Sequence, residues 1–310
     1  MSLMRSPSSS HAMLILASGV FWGTAGAAAQ IAPGTASVAL ADGRLVVGAI
    51  VLTLVIGPVR LWRELKVLSL PILLLASLAM GLFQWSFFAA AVSVGGGVAA
   101  LLSTGASPLF ADMFEARGND VPLPLRWWLE AAGYLIGSAL LVEGFNLPIE
   151  GTLAALLAGA AYAIYAAPAA QMERQSGSTG AGIVITTLAL AGGGIALLPA
   201  ASPQLGSLLS PSGLMMTAYL GVLVTALAYG MFVIGLRSVN VGTALALQVV
   251  QPIAAIVIDA LLPGSHAYSL ALNGPVLVGT AIIIGLMFIR AFTPPLKNRS
   301  LLCPNPPVAR

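Results

Sequence analysis

GGGVAALLSTGASPLF, residues 95–110, and NVGTALALQVVQPIAA, residues 240–255, are two versions of one small-residue, apolar phrase with a proline near its end. An offset of 144 places Thr104 on Gln248, Ser107 on Gln251 and Pro108 on Pro252. Carried outward, the same offset lays Trp85 on Tyr229 and Phe88 on Phe232, while an offset of 140 lays Gly19 and Trp22 on Gly159 and Tyr162. The chain reads as one unit written twice. Each copy holds five apolar runs, and an odd number of crossings forces the second copy to lie upside down relative to the first. That is the inverted-repeat plan of secondary carriers, which place their binding site near the membrane midplane between the halves.

The composition agrees. Of 310 residues, 58% are hydrophobic and only 7% charged, and the mean hydropathy is +0.98. A soluble domain of this length needs roughly a quarter charged residues to clothe its surface. The net charge of +3 rests on few groups and describes helix ends, so nucleic acid is excluded as a partner. A membrane-crossing helix needs about 20 apolar residues. Runs of that kind occur at 12–32, 36–57, 69–92, 95–114, 127–143, 151–170, 181–201, 213–236, 241–262 and 272–292. They show no sustained period-two alternation, which argues against a β-barrel. The predicted fold is an all-α polytopic membrane protein with ten transmembrane helices in two inverted five-helix repeats, 12–143 and 151–292, followed by a disordered tail at 293–310.

The basic residues test this count independently. Arg5, Arg60, Arg63, Lys66, Arg117, Arg126, Arg174, Arg237, Arg290, Lys297, Arg299 and Arg310 all fall on one side of the expected membrane, leaving only Arg44 of the 13 elsewhere. The positive-inside rule then makes both termini cytoplasmic, in a bacterial inner membrane. A cleavable signal peptide is the rival reading of the start, with Arg5, the run from Ala12 to Phe21 and the small residues Ala27 to Ala29. The run continues through Ile31, longer than a typical signal core, which favours a first membrane helix.

Several chemistries are excluded by what is missing. The lone cysteine, Cys303, rules out a disulfide framework or a cysteine metal site. His11 and His266 lie far apart in the sequence without metal-binding spacing, and no GxxxxGK[ST] loop occurs to hold ATP. No cofactor is expected. An intramembrane enzyme would need a mid-span nucleophile and base, and none is legible.

Three stretches carry a resemblance to the EamA-type drug/metabolite transporter superfamily: ASGVFWGTAG at 17–26, ADGRLVVGAIVLTL at 41–54 and YLGVLVTALAYGMFVIGLRSVNVGTALALQVVQPIAAIV at 219–257. The resemblance covers about residues 12–292 and implies ten helices in two inverted repeats that move small metabolites. The aromatic lining is most similar to YddG-type amino-acid exporters. The sequence departs from the family where a Gly-Glu-Arg-like motif normally follows spans four and nine, reading ARGNDVPLP at 116–124 and LPGSHAYSL at 262–270.

Side chains at membrane depth nominate the site. Arg44 lies about 12 Å into span two at 1.5 Å per residue. It is either presented to a substrate carboxylate or bonded to helix-end carbonyls. Uncharged amides and hydroxyls facing lipid would lack partners, so Gln84, Thr104, Ser107, Gln248 and Gln251 point inward, with Phe88 on the face of Gln84. Trp22, Tyr162, Tyr165 and Tyr229 supply aromatic walls, and Pro108 and Pro252 free backbone acceptors and act as hinges. Arg126, Glu130 and Asp112 form an expected cytoplasmic ion-pair cluster.

The function expected from these residues is secondary transport by alternating access: export of small metabolites, neutral or aromatic amino acids foremost, by a monomer whose other partner is membrane lipid. The alternatives are a carrier for a phosphorylated or nucleotide-linked metabolite, which would want several deep cations, and a channel-like facilitator.

Overall fold

The computed structural model describes residues 9–31, 34–65, 68–118, 120–175, 181–239, 241–261 and 274–292. Its helices are α1 (Ser9–Ile31), α2 (Ser37–Ile56), α3 (Pro58–Leu65), α4 (Leu70–Val94), α5 (Gly96–Gly118), α6 (Leu125–Phe145), α7 (Ile149–Gln175), α8 (Ala181–Ala201), α9 (Pro211–Tyr219), α10 (Ala228–Gly235), α11 (Val241–Leu247), α12 (Val250–Leu261) and α13 (Gly274–Ala291). A 3-10 segment, Ser202–Leu209, extends α8, and a π-helical segment, Leu220–Leu227, joins α9 to α10 into one rod. No strand occurs among the described residues. Helix is what an apolar chain in lipid must form, because it satisfies every interior backbone donor within the segment.

Local chemistry sets the helix ends. Gly57 (φ 89°) and Gly95 (φ 84°) stop α2 and α4 in a backbone region that side chains avoid. Asn146 ends α6 in the left-handed conformation. Ser210 caps α9, its Oγ accepting from the backbone N of Gly213 at 3.0 Å. The Asp259 carboxylate on α12 accepts from Gly97 N at 2.6 Å and so caps the start of α5.

Eight described stretches are long and apolar enough to cross a membrane: 9–28, 37–56, 70–94, 96–118, 149–170, 182–209, 211–235 and 274–291. The two other expected spans have physical reasons to differ. α6 carries Arg126, Glu130 and Glu143 in 21 residues. The ninth expected span is broken into α11 and α12 by a turn at Gln248 and Val249, where Gln251 N bonds back to Gln248 O at 2.8 Å. Pro252 stands in the first turn of α12, where a missing N–H costs nothing. Pro108, by contrast, lies inside an uninterrupted α5. The short α3 was not legible in the apolar runs, since Arg60, Arg63 and Glu64 interrupt it. The expected tail at 293–310 and the LPGSHAYSL segment lie outside the described residues.

The packing is centred on α1, α4, α5 and α7. α4 lies against α7 and α8, α5 against α7 and α12, α1 against α10 and α12, α2 against α8 and the π segment, and α6 against α13. Large buried side chains at the centre include Phe88, Tyr165, Tyr229 and Phe232, while Leu54, Val55, Leu74 and Leu78 are among the exposed apolar residues on the outer faces.

Candidate functional site

A small cavity opens among α1, α2, α4, α5, α7, α10 and α12. Its wall contains Trp22, Arg44, Thr104, Ser107, Tyr162, Tyr229 and Gln251, seven of the residues nominated from sequence, together with Ala25, Phe83, Phe87 and Ser103. Trp22 is the hub of the aromatic part. Its ring centroid lies 4.8 Å from Tyr229, 5.3 Å from Phe232 and 5.8 Å from Tyr162, the last edge-on. Phe83 extends the wall from Tyr162, with centroids 4.9 Å apart. Tilted and edge-on contacts of this kind hold aromatic side chains in fixed orientations.

The other nominated residues stand one layer behind. Gln84 is fully buried; its Nε2 donates to the Tyr229 hydroxyl at 3.3 Å, and Tyr229 in turn meets Met80 Sδ at 3.5 Å. Gln84 therefore orients a wall residue. The Tyr165 hydroxyl pairs with Thr186 Oγ1 at 2.8 Å, on α8. Gln248 Nε2 donates to Ile15 O and Ser18 Oγ, each at 3.1 Å, tying α1 to the broken helix. Ser107, itself in the wall, has its hydroxyl between Ser103 O at 2.8 Å and Gly159 O at 3.1 Å, where its one proton is shared between α5 and α7.

Arg44 is 3% exposed and belongs to both layers. Its Nε donates to Thr225 Oγ1 at 2.9 Å and Nη2 to Val224 O at 3.2 Å, both on the π segment, while its Cζ lies 5.5 Å from the centre of the Phe88 ring. Gly48 on α2 and Gly221 on the π segment allow this approach: a Cβ on either would reach the other's backbone at 3.4 Å. Both readings of the arginine thus have a counterpart, since it is fastened to a carbonyl and also lines the cavity. Phe88, nominated as a wall residue, backs the guanidinium instead. Two further polar atoms of the wall, Trp22 Nε1 and the Tyr162 hydroxyl, are buried with no protein partner among the described residues.

Phe83 and Phe87 were missed. The sequence FQWSFF at 83–88 offers aromatic residues on several faces of α4, and the face of Gln84 and Phe88 was taken as the wall when the neighbouring face lines it. Arg290 was also missed as the centre of the ion-pair cluster, where it bonds both Asp112 and Glu130, while Arg126 Nε meets Glu130 Oε1 at 2.6 Å.

Known proteins place this architecture. An uncharacterized transporter of Bacillus subtilis (strain 168), YwfM, is 27% identical over 252 residues, spanning 79% of this chain and 83% of that protein. A protein known from a crystal structure matches 93% of this chain and 98% of its own with a TM-score of 0.59 and 16% identity, a likeness of fold alone. Residues 149–290 match the EamA-like transporter family. With its apolar helices the chain is an integral membrane protein, and its residues 149–290 form an EamA-like domain similar to those of the EamA-type drug/metabolite transporter superfamily.

Proposed function

We propose that this membrane transporter is a secondary carrier that exports small, partly apolar metabolites, amino acids foremost, by alternating access around the central cavity. The observation that carries the reading is the cavity itself, a closely packed aromatic wall interrupted by a guanidinium, two amphipathic donors and the amide of Gln251. Binding there would be loose and tolerant, as an exporter of accumulated metabolites requires. A carrier of phosphorylated substrates would want several cations in the wall, and Arg44 is the one cation lining it among the described residues.

The carrier would have ten crossings in two inverted repeats, with both termini on the cytoplasmic side of the inner membrane, working as a monomer. The helix contacts support this plan, since they come in corresponding sets. α4 on α7 answers α10 on α1, α5 on α7 answers α12 on α1, and α4 on α8 answers the π segment on α2. The close glycine pairs correspond too: Gly48 with Gly221 matches Gly193 with Gly81, at offsets of 145 and 140. The full-length packing of α6 on α13 supports a tenth and a fifth crossing side by side.

Counterflow in liposomes tests the reading. Purified protein should exchange a labelled aromatic or aliphatic amino acid saturably, and Trp22→Ala should lower that exchange about tenfold by removing the hub of the wall. Gln84→Ala, which only frees Tyr229, should have a smaller effect. Flux that does not saturate would favour a channel, and a Trp22→Ala protein with unchanged affinity and rate would remove the cavity as the site.

A further inference from the structure

The cavity wall has an electrical asymmetry that its aromatic character conceals. It contains one guanidinium and, among the described residues, no carboxylate. Arg44 has neutral company: a threonine hydroxyl, a backbone carbonyl and a phenyl face. No acid pairs with it among the described residues, and Nη1 makes no hydrogen bond to the protein there. Asp42, two residues away on α2, is buried but lies toward Gly194 of α8, where a Cβ would sit 3.5 Å from its Oδ1. A buried, uncompensated guanidinium whose Nε and Nη2 are fixed is pre-organised for one thing, an anion that completes its hydrogen bonds in surroundings of low polarity. Trp22 Nε1 and the Tyr162 hydroxyl are further unpartnered groups in the same wall, and the indole can only donate.

An ammonium group entering the same cavity finds the opposite. It meets the field of Arg44 with no carboxylate in the wall to offset it, and finds only neutral acceptors there: aromatic faces, the hydroxyls of Thr104, Tyr162 and the neighbouring serines, and the amide oxygen of Gln251. We propose that the substrate is held by its carboxylate on Arg44 and that an α-amino group adds little to recognition. The site selects organic acids with an aromatic or branched apolar body, and α-amino acids enter as members of that class. This deepens the carrier reading above and rests on it.

Matched probes separate the two charges. Protein in nanodiscs is titrated with L-phenylalanine, 3-phenylpropionate, 2-phenylethylamine and the neutral 3-phenylpropionamide, and with leucine, 4-methylpentanoate and 3-methylbutylamine. The acids and amino acids should bind with similar affinity and the amines roughly 10- to 100-fold more weakly, the range of a hydrogen bond to a charged group. Arg44→Gln should remove the advantage of 3-phenylpropionate by the same factor while leaving 3-phenylpropionamide unchanged. An amine that binds as tightly as its acid overturns the proposal, and this comparison needs only the wild-type protein should the variant not fold. Equal weakening of acid and amide in Arg44→Gln also overturns it, showing a structural arginine, and leaves the carrier reading intact if counterflow persists. Failure of every probe to bind wild-type protein overturns both.

Discussion

Replacing Arg290 with methionine is expected to lower the unfolding free energy by about 3–5 kcal/mol, the cost of leaving buried carboxylates without their cation. Arg290 on α13 bonds Asp112 on α5 and Glu130 on α6, and its Nη2 also donates to Pro108 O at 3.3 Å. The three side chains are 11%, 10% and 10% exposed, so water does little to replace the lost partner. Arg126, which is 42% exposed, meets Glu130 where water screens the pair, and Arg126→Ala should cost less than about 1 kcal/mol. Unfolding in detergent, followed by heat or denaturant, measures both. The triple variant Arg290→Met, Asp112→Asn, Glu130→Gln should regain most of the loss, because the penalty lies in the unpaired charges and not in the missing bonds. A triple variant no more stable than Arg290→Met alone would mean that packing at α13 decides.

That cluster shows where reading the chain as text reaches its limit. Arg126, Glu130 and Asp112 could be grouped because two are one helical turn apart and the third ends a neighbouring run. Arg290 is 160 residues from Glu130, and nothing local distinguishes it from the other basic residues at helix ends. The helical class and most of the spans were legible because the bilayer imposes a length and a composition on each crossing. Seven wall residues were legible for a related reason: polar or large aromatic groups deep in a span have few places to go.

The direction in which each helix presents its face was not legible. α4 is apolar on all sides, so periodicity cannot distinguish the Gln84 and Phe88 face from the Phe83 and Phe87 face one residue away. The same limit put Tyr165 in the wall, although its hydroxyl is committed to Thr186. The π segment was also hidden, since no residue type marks an extra residue per turn. Yet that segment places the Val224 carbonyl and the Thr225 hydroxyl where Arg44 can use both.

Gly193→Leu is expected to cost about 3 kcal/mol or more and to reduce the yield of folded protein, whereas Gly230→Ala and Gly285→Ala should be neutral or gain up to about 1 kcal/mol. All three glycines lie within helices, but their surroundings differ. A Cβ on Gly193 would stand 2.9 Å from Gly81 N and 3.2 Å from Ser77 O, which are backbone atoms of α4 and cannot rotate away. Around Gly230 and Gly285 nothing lies within 4 Å of the added carbon. In lipid, helices gain no hydrophobic free energy by associating, so the close backbone approach of α4 and α8 is itself the source of their attraction, and forcing it apart removes dispersion contacts along both helices. The displacement would also reach the cavity, because Met80, one residue before Gly81, supports the Tyr229 hydroxyl. Stability in detergent and counterflow should therefore fall together in Gly193→Leu and stay together in the two alanine variants. Equal losses at all three positions would show that glycine serves helix bending here, and not the contact between helices.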